Sequence, residues 1–214
     1  RALLRIPTVS LDPADPDADA TAFDDFRAAT ARLYPALHTA LEREVIAGHS
    51  LLYRWRGTDA AAPLVLMAHI DVVPVVPAEW THAPFAAEVV GTGDAAEIHA
   101  RGAVDDKGAL VAILEAVDGL VAEGFTPARD VYLAFGHNEE VAGDGAQEIV
   151  EVLRGRGIRP SLVLDEGGAV VEGALPGVGV PTAMIGVAER GVMTVHLIAR
   201  ELGGHASTPP RDPA

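Results

Sequence analysis

The sequence predicts an α/β domain, a mixed and mostly parallel sheet flanked by helices, over residues 1–188. Residues 189–214 read as the start of a smaller domain. Strand-like and helix-like runs alternate through the middle of the chain, the pattern of a sheet packed by helices. The alternation weakens after about Ala188. There Val192, Thr194, His196 and Ile198 alternate with Met193, Val195, Leu197 and Ala199, as in a half-buried strand.

Each element has its own signal. Residues 12–25 hold Asp12, Asp15, Asp17, Asp19, Asp24 and Asp25 with Pro13 and Pro16, which reads as a solvated loop. Phe23 to Ile46 has helical spacing, interrupted near Pro35. Leu51–Trp55 and Leu64–Ala68 read as strands. Val89–Val90 and Ile98–Ala100 suit a hairpin around Gly91-Thr-Gly93. Lys107–Glu123 is a helix with Leu110, Ile113, Leu114, Val117 and Leu120 on one side. Asp130–Phe135 is an apolar strand, Asp144–Arg154 a helix ending at Gly155, and Leu162–Leu164 a short buried strand. Ala183–Val187 and Val192–Ala199 are read as further strands.

The chain has 214 residues, with 16 Lys+Arg against 31 Asp+Glu and a formal net charge of -15. That length is ample for a buried core, and an apolar fraction of 49% excludes a disordered acidic tail. The acidic balance argues against nucleic acid and anionic membrane as partners, because phosphate binding needs a basic footprint. No segment is long and uncharged enough to cross a bilayer. There are no cysteines, which removes disulfides and thiolate nucleophiles, so any metal must be held by His, Asp and Glu. This composition is compatible with a cytoplasmic enzyme. The start at Arg1 and the finish at Arg211-Asp-Pro-Ala214 lead us to expect a fragment.

Several nucleotide and hydrolase motifs are missing. There is no GxxxxGK[ST], no GxSxG and no HExxH. Gly91-Thr-Gly-Asp-Ala-Ala96 is a loose GxGxxA, but strand-like residues follow it, so it reads as a turn.

Four acidic or histidine clusters remain, each expected at the carboxyl end of a strand. They are His69-Ile-Asp71, Asp105-Asp106, His137-Asn-Glu139-Glu140 and Asp165-Glu166. Ligands of open α/β sheets bind outside those ends. Carboxylates gathered there need a cation or protons to neutralise them. His69 and Asp71 share a face of an extended segment, so the carboxylate can orient the imidazole. Glu139 and Glu140 point apart, so one can bind metal while the other faces a water as general base.

These motifs resemble the dinuclear zinc peptidases and aminoacylases, a family that includes carboxypeptidase S, carboxypeptidase G, aminoacylase and succinyl-diaminopimelate desuccinylase. The likeness runs from Ile6-Pro-Thr-Val-Ser10 to His205-Ala-Ser-Thr-Pro-Pro210. It is most specific at His69-Ile-Asp-Val-Val-Pro74, Trp80-Thr-His-Ala-Pro-Phe85, Arg101-Gly-Ala-Val-Asp-Asp-Lys-Gly108 and Gly136-His-Asn-Glu-Glu-Val141. The Trp80–Phe85 and Asp165-Glu-Gly-Gly168 segments look most like the carboxypeptidase S branch.

The resemblance implies two zinc ions bridged by Asp105, with a cis Asp105–Asp106 peptide. His69 and Asp165 complete the first zinc site and Glu140 belongs to the second, which lacks a late histidine in this chain. Cobalt or manganese also suits such donors. Glu139 is the implied general base, Asp71 the orienting group, and His205 an oxyanion-stabilising residue of a lid or dimerisation domain. The implied reaction is hydrolysis of an amide bond in a small peptide or N-acyl amino acid, with a homodimer formed through the lid. A dipeptidase, a biosynthetic deacylase and a non-catalytic homologue are the alternatives. The isolated chain is expected to turn over little. His38, His49, His99 and His196 read as surface or packing residues. Arg190 is read as a substrate contact or a structural ion pair. His82 and His137 are read as pocket-lining rather than ligating.

Overall fold

Nearly continuous burial along the central strands, covered on both faces, sets the architecture. In this computed structural model, residues 1–10, 20–168, 170–173, 175–188, 191, 193 and 195–198 are described. They divide into two compact units, Arg1–Glu166 and Gly167–Ala214.

The first unit is built on one sheet. Its strands are β1 (Glu42–Ile46), β2 (Ser50–Trp55), β3 (Asp59–His69), β6 (Arg129–Gly136) and β7 (Leu162–Leu164), in the order β1-β2-β6-β3-β7. The pairs β1–β2 and β2–β6 are antiparallel, whereas β3 pairs in parallel with β6 and β7. The sheet is therefore mixed, with parallel and antiparallel pairings in equal number rather than mostly parallel. β4 (Glu88–Val90) and β5 (Glu97–His99) form the expected hairpin as a sheet of their own.

Side chains two apart share a face, and each central strand feeds two cores. Leu51, Tyr53, Leu133 and Phe135 point to one side with Phe26 of α1 (Thr21–Leu33), Leu37 of α2 (Pro35–Ala40) and Leu110 and Leu114 of α3 (Lys107–Ala122). Leu52, Val65, Tyr132 and Ala134 point to the other, against Ile149 and Leu153 of α4 (Gly145–Gly155). The break between α1 and α2 falls at Tyr34, whose extended φ of -121° suits a residue before proline, and Pro35 opens α2.

The helix expected as far as Ile46 ends at Ala40. Glu42–Ile46 is instead an exposed edge strand, turned back onto β2 through Ala47 and Gly48, both at positive φ. Local spacing suited a helix there, but hydrogen bonding to β2 decided otherwise. β7 is a strand as expected, yet Leu162, Val163 and Leu164 are exposed, because β7 is the last strand of the sheet and pairs on one side only.

In the second unit, β8 (Val170–Val171) pairs antiparallel with β9 (Thr182–Ala183). Of the strand expected over Ala183–Val187, only Ala183 is in a strand, and Met184–Val187 are irregular. Val192, Thr194 and Ala199 of the next expected strand lie outside the described residues, and those described between them are not in a strand. Among the described residues, no helix is long and apolar enough to cross a membrane.

Candidate active site

Parallel pairing brings three of the acidic clusters to one end of the sheet. β3 ends at His69, β6 at Gly136 just before the Glu139–Val141 turn, and β7 at Leu164 just before Asp165 and Glu166. The fourth cluster does not follow a strand of this sheet. Asp105 and Asp106 lie on the loop that leads into α3, with Asp106 as its N-cap residue. The Asp105–Asp106 peptide is cis, as the resemblance implied.

His69 is the centre of the cluster and is 2% exposed. Its Nε2 lies 2.9 Å from Asp105 Oδ1 and 3.5 Å from Glu166 Oε1. Its Nδ1 lies 3.0 Å from the Asp71 carbonyl oxygen and 3.4 Å from Asp71 Oδ1. Its backbone N–H donates to Asp106 Oδ2 at 3.1 Å. Candidate ligand atoms of His69, Asp105 and Glu140 lie within 4.8 Å of one another, as do those of His69, Asp106 and Glu166.

Asp71 joins these loops. Fully buried, it accepts the Glu139 N–H on Oδ1 at 3.1 Å, and on Oδ2 the Glu140 N–H at 3.1 Å and the Ser10 hydroxyl at 2.8 Å. Burial works against its charge, but hydrogen bonds from His69, Ser10, Glu139 and Glu140 outweigh that and hold its pKa below the usual carboxylate range.

The surrounding carboxylates are pushed the other way. Burial, with the charges of Asp105 and Asp165 added, raises Asp106 to about 6. Burial and the charge of Asp106 raise Glu166 to about 7. Burial and the charge of Asp105 also raise Glu140. Burial acts to lower His69, yet its hydrogen bonds to Asp71 and Asp105 and the charges of Asp71 and Glu166 carry it up to about 10. Burial comes first in the rise of each of these carboxyls, and the neighbouring acids add to it. Lys107 does not pair with them, since its Nζ donates to the carbonyls of Leu3 and Ile6 instead. An imidazole nitrogen among several carboxylate oxygens is the donor set of a zinc-type divalent cation, so these residues fit one.

The cluster closes one end of a cavity of about 1020 Å³ between the sheet and α4. Met67, Ala134, Ile149, Leu153 and Val163 make much of its wall apolar, and Glu139, Asp165 and Glu166 line it too. Asp165, an expected ligand, thus reaches the same cavity, but it is in neither cluster of candidate ligand atoms. Its neighbour Glu166 is. Glu166 and Asp106 stood beside the residues the resemblance assigned, Asp165 and Asp105, and the resemblance gave them no role of their own. Ser10 lay in a matching segment and carried no assigned role. His137 turns away, with Nδ1 2.7 Å from Ser50 Oγ, and His82 pairs with Glu88 on the surface. His205 and Arg190 lie outside the described residues.

A mixed sheet thus gathers a histidine and several carboxylates that could hold a metal ion at one end. The model of "Peptidase family M20/M25/M40" matches residues 65–210. The chain belongs to that family, the one its motifs resembled. It is 37% identical over 213 residues to the N-fatty-acyl-amino acid synthase/hydrolase PM20D1 of Xenopus tropicalis, covering 98% of this chain and 40% of that protein. It is 40% identical over 186 residues to the probable carboxypeptidase S-like 2 of Dictyostelium discoideum, covering 85% of this chain and 35% of the relative. Among solved structures, an M20 family metallo-carboxypeptidase from Sulfolobus solfataricus matches with a TM-score of 0.59 at 25% identity, over 80% of this chain and 37% of that one. Human carnosine dipeptidase 1 shares the fold, with a TM-score of 0.60 at 17% identity over 80% of this chain and 38% of that one. The chain thus spans about 40% of the length of the curated relatives it matches.

Proposed function

We propose that this chain carries the catalytic carboxylates of a metal-dependent hydrolase that cleaves the amide bond of a small peptide or an N-acyl amino acid. The observation that carries the reading is the cluster of His69, Asp105 and Glu140 at the carboxyl edge of the sheet, with Glu139 beside it.

His69, Asp105 and Asp165 would hold one metal, and Asp105 and Glu140 the second. When bound, the pair supplies Lewis-acid polarisation of the scissile carbonyl and lowers the pKa of the attacking water. Glu139 takes the proton of that water and returns it to the leaving amine. The Glu139 N–H is held by Asp71, so the base sits on a fixed turn. Asp71 also faces His69 Nδ1, which leaves Nε2 directed at the carboxylates. The apolar wall of the adjoining cavity suits an apolar side chain or acyl group. Residues 189–214 would begin a lid or dimerisation domain, with His205 as a group that stabilises the oxyanion.

The test has two parts. Amine release by the whole protein, zinc-loaded, on a panel of dipeptides and N-acyl amino acids establishes hydrolysis and chooses between the two classes. Glu139→Gln should then lower turnover by about 10²–10⁴-fold, the usual worth of a positioned general base, with the metal still bound. Full turnover by that variant would remove Glu139 from the role.

A further inference from the structure

The segment Leu3–Ser10 takes no part in the chemistry above, yet it is laced to the site along its length. Lys107 Nζ, fully buried, donates to Leu3 O at 3.3 Å and to Ile6 O at 2.7 Å. Thr8 Oγ1 donates to Ile70 O at 2.7 Å, and Val72 N donates to Thr8 O at 2.9 Å. Ser10 N donates to Val72 O at 2.9 Å, and Val9 bridges Val72 in parallel. The segment therefore runs beside Ile70–Val72, the continuation of β3 that carries Asp71.

This lacing ends at the site. Ser10 Oγ lies 2.8 Å from Asp71 Oδ2 and 3.2 Å from Val72 O. A hydroxyl has one proton to give, and the shorter contact to the charged oxygen takes it. The same Oδ2 accepts the Glu140 N–H, while Oδ1 accepts the Glu139 N–H and faces His69 Nδ1. Rotation of a carboxylate about its last torsion is soft, so its plane is set by its donors. Ser10 is the side-chain donor outside the site's own loops that fixes that plane. With the hydroxyl removed, Oδ2 keeps the Glu140 N–H alone among the donors of the described residues.

We infer that Ser10 is a positioning residue for the proposed hydrolysis: its hydroxyl fixes the Asp71 carboxylate and, through it, His69 and the Glu139–Glu140 turn. The catalytic part of this inference rests on the function proposed above, whereas the link from Ser10 to the turn does not.

The experiment compares Ser10→Ala and Ser10→Thr with the wild-type whole protein. Partners of metal-binding groups are worth about 10–100-fold in metal affinity or activity. Ser10→Ala should therefore lose that much in kcat with KM within about twofold, and should bind zinc more weakly in competition with a chromogenic chelator. Ser10→Thr, which keeps the hydroxyl, should restore both. Hydrogen exchange gives a readout free of activity: the Glu139 and Glu140 amides should lose protection in Ser10→Ala and regain it in Ser10→Thr. If wild type neither binds zinc nor hydrolyses the panel, the proposed function fails, and amide exchange alone decides whether Ser10 holds the turn. Unchanged amide protection in Ser10→Ala overturns the inference. So does an activity loss that follows general unfolding and that threonine does not rescue.

Discussion

Replacing Asp71 with asparagine changes little in volume and should be costly. The carboxylate has two sides: Oδ1 meets the Glu139 N–H and His69 Nδ1, and Oδ2 meets the Ser10 hydroxyl and the Glu140 N–H. An amide accepts on one side and donates on the other. Whichever way the new side chain turns, one of the two backbone N–H groups faces an NH₂. A stranded buried donor costs about 1–3 kcal/mol, and the surviving bonds drop from charge-assisted to neutral strength. We expect a net loss of about 3 kcal/mol. For a chain of this length that lowers Tm by about 6–12 °C. The assay is calorimetry of the metal-free protein. The native pKa of Asp71 is depressed, so its stabilisation is complete above the unfolded pKa of about 4 and fades as pH falls through the depressed native value. The gap between wild type and Asp71→Asn should thus narrow at pH 3. A gap below about 1 kcal/mol at pH 7, set against the range for a stranded donor, or one indifferent to acid, would refute the reasoning.

Further outcomes follow from burial elsewhere. Burial pushes Lys107 down to about 7, so between there and its unfolded pKa of about 10.4 it makes stability rise with pH. His69, raised to about 10, acts oppositely: its stabilisation is complete below about pH 6.5 and is lost as pH rises towards its native value. The metal-free wild type should be nearly flat from about pH 7 to 10, whereas Lys107→Met should slope downward, and parallel urea-denaturation curves would contradict this. Leu114→Ala removes a side chain of 0% exposure from the face of α3 that meets the sheet. It should cost about 2–5 kcal/mol by chemical denaturation, and a loss under about 1 kcal/mol would mean the site collapses freely.

Local chemistry carried far in the sequence. Pro35 marked the break between α1 and α2, and the spacing of Leu110, Leu114 and Val117 marked the buried face of α3. The Gly91 turn marked the β4–β5 hairpin. Composition removed thiol chemistry, and the order of His69, Asp105, Glu139-Glu140 and Asp165 pointed to the family, because each short motif names its residues without needing the fold. What failed were judgements about surroundings. Glu42–Ile46 has a helix-like pattern, and only β2 made it a strand. Leu162–Leu164 is apolar, and only its place at the sheet edge left it exposed.

The division is sharpest at the site. Residue type and spacing along the chain are one-dimensional, and they were enough to name candidate acids, a candidate imidazole and a chemistry to propose for them. How the members of each adjacent pair are arranged around His69 depends on how the loop before α3 and the loops after β6 and β7 aim their side chains. That is why the grouping of Glu166 and Asp106 with His69 entered only with the tertiary structure. Ser10 entered the same way. Sixty-one positions separate it from Asp71, and a hydrogen bond over that distance in sequence leaves no local pattern. It exists because parallel pairing beside Val72 carries the N-terminal segment to the carboxyl edge of the sheet, where the buried charge needs its donors.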